Sequence, residues 1–160
     1  MIRKLSKKEV FRDFFDLMIE IEAGDHFDAS DEAHITWLNR QITRRFGAGA
    51  QFFGLYQNDI PVGLAAVVVD DHPEFPGYSE LVDLGIYPDY RLQGFGSALI
   101  EFAEQLSIKA GVFCMYIATY AGDTDAISFY RKNGYLPVCT LPDVHGPDDR
   151  GRLYLEKRFL

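Results

Sequence analysis

Apolar positions recur with different periods along the chain, and each period predicts an element. Leu99, Phe102, Ala103, Leu106 and Ala110 fall at i, i+3, i+4, i+7 and i+11, one face of a helix for which Gly111 supplies the C-terminal cap. Ahead of it, Leu81-Val82-Asp83-Leu84-Gly85-Ile86-Tyr87 is rich in strand formers and stops at Pro88, which turns Tyr87 away from helical angles. Near the end, Leu153, Leu155 and Phe159 alternate with Tyr154, Glu156 and Arg158, the period of a half-buried strand. The remaining elements follow from punctuation. A short strand at Ile2 to Leu5 precedes the capping box Ser6-x-x-Glu9, which opens a helix running to about Glu22. A second helix spans about Asp31 to Phe46 and is broken by Gly47-Ala48-Gly49. Gln51 to Gln57 and Pro61 to Asp70 read as a hairpin around Asn58-Asp59. After a loop from His72 to Gly77 come the central strand from Glu80, the helix after it and a strand from Val112 to Thr119. A fourth helix is capped by Asp123 and ended by Gly134, and strands at about Tyr135 to Leu141 and Arg152 to Phe159 close the chain.

Between the apolar strand and its following helix stands Tyr90-Arg91-Leu92-Gln93-Gly94-Phe95-Gly96-Ser97-Ala98-Leu99. Glycines at the start of a helix expose backbone N–H groups that lack intrahelical partners, and the helix dipole adds partial positive charge there. A pyrophosphate can be held on such a turn without any lysine. Gly94 and Gly96 let the backbone approach it closely. On spacing alone the same pair also describes an ordinary turn. The dinucleotide fingerprint needs a third glycine where Leu99 stands, and no G-x-x-x-x-G-K-S/T occurs, so the Rossmann and P-loop readings fail their own patterns.

Arg91-x-x-Gly94-x-Gly96 resembles the acyl-CoA motif of the GNAT superfamily of N-acetyltransferases (Arg or Gln, two residues, Gly, one residue, Gly or Ala), and Tyr87-Pro88-Asp89-Tyr90-Arg91 is similar to the strand end that precedes it. Some thirty residues on, Asp123 to Tyr135 resembles the family's Asn-x-x-Ala-x-x-(Leu/Phe)-Tyr-x-x-x-Gly-(Phe/Tyr) helix, with Asp123 in the Asn position. Taken alone, that stretch is also an amphipathic helix with Ala126, Phe129 and Tyr130 in a core. The two motifs in this order cover about residues 75 to 140. The element order β-α-α-β-β-β-α-β-α-β-β is the GNAT order. It implies an α/β (α+β) fold, a mixed, mostly antiparallel central sheet of six to seven strands flanked by about four helices, as a single domain over residues 1–160.

The resemblance also implies roles. Acetyl-CoA is the expected co-substrate, with no metal, and Arg91, Leu92, Gln93, Gly94, Phe95, Gly96 and Ser97 are expected to hold its pyrophosphate. Leu84 corresponds to the residue whose N–H meets the thioester oxygen, Ile86 to one that bonds pantetheine, and Asp123, Ala126 and Phe129 to further cofactor contacts. Tyr130 matches the general acid near the sulfur; the alternative is a core tyrosine with a satisfied hydroxyl. Gly85, inside an apolar strand, suggests a bulge or splay that frees backbone groups for the cofactor. Glu80 matches a base position in some members. By simple alternation it shares a face with Leu84 and Ile86, while Asp83 lies on the other. An idle strand-edge carboxylate, with deprotonation through water, is the alternative.

Composition sets the remaining bounds. With 160 residues, 48% of them hydrophobic, one domain with a real core is expected. The longest apolar stretch, Ile60 to Val69, is about half of what a membrane helix needs, and Met1 to Glu9 lacks the apolar region of a secretory signal. A soluble, cytoplasmic protein is expected. Cys114 and Cys139 read as core thiols, and His26, His34, His72 and His145 stand singly with no metal spacing. The net charge of −8 argues against nucleic acid and favours a cationic substrate. Arg40, Arg44 and Arg45 read as a solvated helix end. The acidic stretch from Glu20 to Asp28 and Ser30 to Glu32 matches a region that forms part of the acceptor site in the family; helix ends carrying Asp and Glu for dipole reasons are the equal alternative. The expected activity is transfer of acetyl from acetyl-CoA to the primary amine of a small cationic molecule, with a peptide or protein N-acetyltransferase or a catalytically silent acyl-CoA-binding module as alternatives. A homodimer is left open.

Overall fold

Ser6 begins the first helix as its sequence requires: its hydroxyl accepts from the Glu9 N–H and the Glu9 carboxylate accepts from the Ser6 N–H, closing the capping box. The structure, a computed structural model, describes residues 1–70, 73–144 and 146–159. His72 and His145 lie outside the described residues. Among those described, no group of His, Cys, Asp or Glu has a metal-binding arrangement, and no helix is long and apolar enough to cross a membrane.

The elements in chain order are β1 (Ile2–Leu5), α1 (Lys7–Asp13), α2 (Phe15–Glu22), α3 (Glu32–Gly47), β2 (Gln51–Gln57), β3 (Ile60–Asp70), β4 (Tyr78–Ile86), α4 (Phe95–Lys109), β5 (Cys114–Tyr120), α5 (Thr124–Lys132), β6 (Leu136–Leu141) and β7 (Arg152–Arg158). Single 3₁₀ turns stand at Gly24–His26 and Pro88–Tyr90. The seven strands are ordered β1-β2-β3-β4-β5-β7-β6, mixed and mostly antiparallel. That is the expected fold class. Five α-helices replace the expected four because the first helix breaks at Phe14. This ring is fully buried, edge-on to Tyr56 at 5.6 Å and stacked on Tyr87 at 6.2 Å, and the Asp13 carbonyl accepts from the Tyr87 hydroxyl at 2.7 Å. Tertiary packing of the phenylalanine fixes a non-helical φ of −129° and ψ of 15° there, against the helical run in the sequence.

The chain divides into two compact units, residues 1–68 with 83–103 and residues 69–82 with 104–160. In the first, β1, β2 and β3 form an antiparallel meander, and the β2–β3 turn has Asn58 and Asp59 at φ 51° and 63°, the left-handed pair that a tight hairpin selects. Phe52, Val62, Leu64, Ala66 and Leu99 are buried there with Leu38 and Ile42 of α3. In the second, β5 pairs antiparallel with β7 and β7 with β6, while the first residues of β4 run parallel to β5. Tyr135, Met115, Ile117 and Leu155 are buried in it. β6 ends the strand order and is exposed along its length, so Cys139 is exposed; only Cys114 is the buried thiol that the sequence suggested for both.

Candidate active site

The glycine turn is built on the first unit. β4 ends at Ile86, the 3₁₀ turn at Pro88–Tyr90 redirects the chain, and Arg91 to Gly94 lead into α4. Leu92 and Gly94 take φ values of 59° and 87°. Two left-handed residues so close together curl the backbone tightly, and the helix ladder begins only with the Ala98 N–H bonding to the Gly94 carbonyl at 3.0 Å. The N–H groups of Phe95, Gly96 and Ser97 therefore precede the ladder, facing the positive end of a fifteen-residue helix. Gly96 itself is helical, in the first turn of α4, and the positive φ values of the turn fall on Leu92 and Gly94. Leu92 is fully exposed in a conformation that leucine disfavours, which is the kind of local strain that functional loops retain.

Arg91 holds this turn in place: its Nε donates to the Ile86 carbonyl at 2.9 Å and its guanidinium pairs with Glu20 of α2. Gln93 Nε2 donates to the Asp89 carbonyl at 3.2 Å. Ile86 and Leu99 meet over Gly63 of β3, where an added Cβ would also stand 2.9 Å from the Gly85 carbonyl oxygen. On the other face of the strand, a Cβ at Gly85 would stand 2.7 Å from Ile21 and 3.1 Å from Leu17 of α2. Gly85 is thus also a close-packing glycine.

Burial along β4 alternates through Asp83: Ser79, Leu81 and Asp83 are buried, while Glu80, Val82 and Leu84 are half-buried. The Ser79 hydroxyl meets that of Ser107 on α4 at 2.7 Å. Glu80 therefore stands on the strand face opposite the buried Ser79 and Leu81. The register with β5 ends at the Leu81–Ile117 pair, ahead of Leu84 and Ile86.

Asp83 is buried with its Oδ2 unsatisfied, 3.3 Å from Arg45 Nε; Arg45 also donates to Glu22 at 3.1 Å. Burial, with the Glu22 carboxylate beside it, pushes the Asp83 pKa up against the opposing pull of Arg45. Arg45 is consequently an internal ion-pair residue and not the solvated helix end that its neighbours suggest. Sequence reading missed this trio because its members stand on α2, α3 and β4.

In the second unit, Asp123 caps α5, accepting from the Ala126 N–H at 3.0 Å. Ala126, Phe129 and Tyr130 are half-buried, and the Tyr130 ring lies 5.4 Å from Phe129 and 6.5 Å, edge-on, from Tyr135. Tyr135 is anchored through its hydroxyl to Glu104 at 2.9 Å, and Lys157 Nζ meets both Glu104 oxygens at 2.9 Å and the Asn133 carbonyl at 3.0 Å. This cluster fixes the end of α5. Glu80 lies beside Tyr116, its register partner.

A family description, acetyltransferase (GNAT) family, matches residues 11–135. No curated protein matches the chain. Solved structures of the same fold include a GNAT family acetyltransferase from Elizabethkingia anophelis with acetyl-CoA bound (12% identity, 99% of this chain and 97% of that one, TM-score 0.75). The ribosomal-protein-S18-alanine N-acetyltransferase from Escherichia coli matches at 19% identity over 99% and 92%, with a TM-score of 0.75. Aminoglycoside 6'-acetyltransferase type Ii matches at 18% over 100% and 97%, with a TM-score of 0.76. With the glycine turn opening α4, the capped helix carrying Tyr130 and the sheet order all falling inside or beside the matched span, the chain belongs to the GNAT acetyltransferase family.

Proposed function

We propose that this chain transfers an acetyl group from acetyl-CoA to the primary amine of a small cationic molecule, directly, in a ternary complex. The observation that carries the reading is the turn at Leu92 and Gly94, which leaves the first N–H groups of α4 available to a pyrophosphate. The family match and the acetyl-CoA bound to one structural neighbour support the choice of cofactor. The neighbours' named acceptors, an aminoglycoside and an alanine of ribosomal protein S18, differ in kind, so the fold does not choose between them. The net charge of −8 supports a cation.

In this reading the free amine attacks the thioester carbonyl carbon, the Leu84 N–H stabilises the oxygen as charge builds on it, and the C–S bond breaks. The Tyr130 hydroxyl gives its proton to the departing thiolate. The amine's proton leaves through Glu80 or water. Arg91 acts by positioning, holding the strand end and α2 to the turn through Ile86 and Glu20. The test is release of free CoA thiol with a panel of small amines and N-terminal peptides, for the native chain and for Tyr130→Phe. Turnover of small amines, lowered about 10²-fold or more in kcat by Tyr130→Phe with acetyl-CoA affinity kept, is the expected result. Turnover of peptides alone, or binding of acetyl-CoA without any turnover, would replace the reading by one of its two alternatives.

A further inference from the structure

The first unit contains a cleft of about 470 Å³ lined by Glu22, Ala23, His26, Phe27, His34 and Trp37. Its walls are mostly rings. Phe27 and His34 lie 5.5 Å apart, centre to centre, and His34 is locked in place because its Nδ1 accepts the Asp28 N–H at 2.8 Å, leaving the ring proton on Nε2, 3.7 Å from Asp31. Trp37 keeps 36% of its surface exposed. The one carboxylate in the lining, Glu22, belongs to the buried trio in which Glu22 and Asp83 face a single cation, Arg45. Asp83 Oδ2 has no hydrogen-bond partner. Two carboxylates share one guanidinium, and the only member of the trio that lines the cleft is the acid Glu22.

We infer that this cleft receives the acetyl acceptor, and that the acceptor is an arylalkylamine whose ring lies against Trp37 and Phe27 and whose ammonium is directed at Glu22. The inference rests on the acetyltransferase reading above and narrows its substrate class. Rings recognise rings and cations through their faces, so four of them around one carboxylate match a flat group carrying a single ammonium. A polyamine or an amino sugar would bring several ammonium groups to a cleft with one acid and would leave the rings uncovered. The volume is in the range of small-molecule sites.

Trp37 is the only tryptophan in the chain, so its fluorescence reads occupancy of the cleft without any chemistry. Phenethylamine should change it saturably and bind about tenfold more tightly than either 2-phenylethanol, which lacks the charge, or propylamine, which lacks the ring. Glu22→Gln should remove the advantage of the amine over the alcohol and keep the alcohol's affinity. Should Glu22→Gln fail to fold, Phe27→Leu serves instead, with loss of the advantage of phenethylamine over propylamine. Equal binding of propylamine or spermidine, an unaltered amine-to-alcohol ratio in Glu22→Gln, or no saturable response overturns the inference. Thiol release with other amines and no fluorescence response sinks this inference alone; a fluorescence response with no turnover of any amine sinks the acetyltransferase reading and with it the assignment of an acetyl acceptor, and leaves only a cleft that binds arylalkylamines.

Discussion

Gly94→Ala tests the cofactor turn with the fewest confounding contacts. Gly94 sits at φ 87°, and a Cβ built on it meets nothing within 4 Å, so the methyl group adds no clash inside the protein. The cost is conformational, about 1–2 kcal/mol for an L-residue held in the left-handed region. In a chain of this size about 1 kcal/mol moves Tm by roughly 2–4 °C, so the unliganded variant should melt roughly 2–8 °C below the native chain. Acetyl-CoA at about one hundred times its dissociation constant should add about 2.7 kcal/mol to the native chain, or roughly 5–11 °C. The methyl projects into the open space by the loop, where a pyrophosphate would come closest. The variant should therefore lose at least half of that ligand-induced shift, while NAD should shift neither protein appreciably. Calorimetry or dye-monitored melting with and without acetyl-CoA reads both quantities. An unliganded Tm equal to the native value would refute the backbone argument, and a full acetyl-CoA shift in a destabilised variant would refute the placement of the phosphates.

Four further outcomes follow from individual side chains. Glu80→Gln should lower kcat/KM most at low pH, where little free amine exists, whereas Asp83→Asn should act on stability; activity lost only in Asp83→Asn would reverse the two roles. The Asp83 pKa is raised by burial and by Glu22, so the folded chain loses stability as pH rises from the ordinary carboxylate range toward the raised folded pKa, and Asp83→Asn should hold its Tm better than the native chain over that rise; parallel profiles would contradict this. Asp13 has the opposite sign: hydrogen bonding from Arg12 lowers it to about 2, so its contribution is complete above about pH 4 and is lost as pH falls toward 2, and Asp13→Asn should flatten that limb of the stability profile measured by urea unfolding. Glu104→Gln strips the charge partner from Lys157 and should cost about 1–3 kcal/mol in the same assay, with no loss if the cluster is only a surface pair.

What was legible in the chain was whatever local chemistry fixes. The capping box, the Asn58-Asp59 turn, the Asp123 cap and the glycine turn all depend on residues within four positions of one another, and each stands where the sequence puts it. Phe14 was not legible, because the helix breaks there for the sake of Tyr56 and Tyr87, forty and seventy residues away. The same holds for the candidate site. The positions of its backbone donors follow from the motif, but the Glu22–Arg45–Asp83 trio and the Glu104–Lys157 pair are assembled by topology, and neither shows a spacing that a linear reading can detect.

Pro137 is the residue that keeps the last strand of the sheet harmless. β6 ends the strand order with Leu136, Val138 and Leu141 exposed, a row of apolar side chains along an unpaired edge. Its sequence, Leu-Pro-Val-Cys-Thr-Leu, carries no charge; it is interrupted by the proline, which has no amide N–H to give, and by the register shift that follows it between Pro137 and Cys139. With valine in its place the six residues become an unbroken, uncharged run of strand formers, the composition of a self-templating fibril segment. The proline thus acts as a gatekeeper of this edge. Pro137→Val should leave melting nearly unchanged while lowering the concentration at which the protein begins to precipitate.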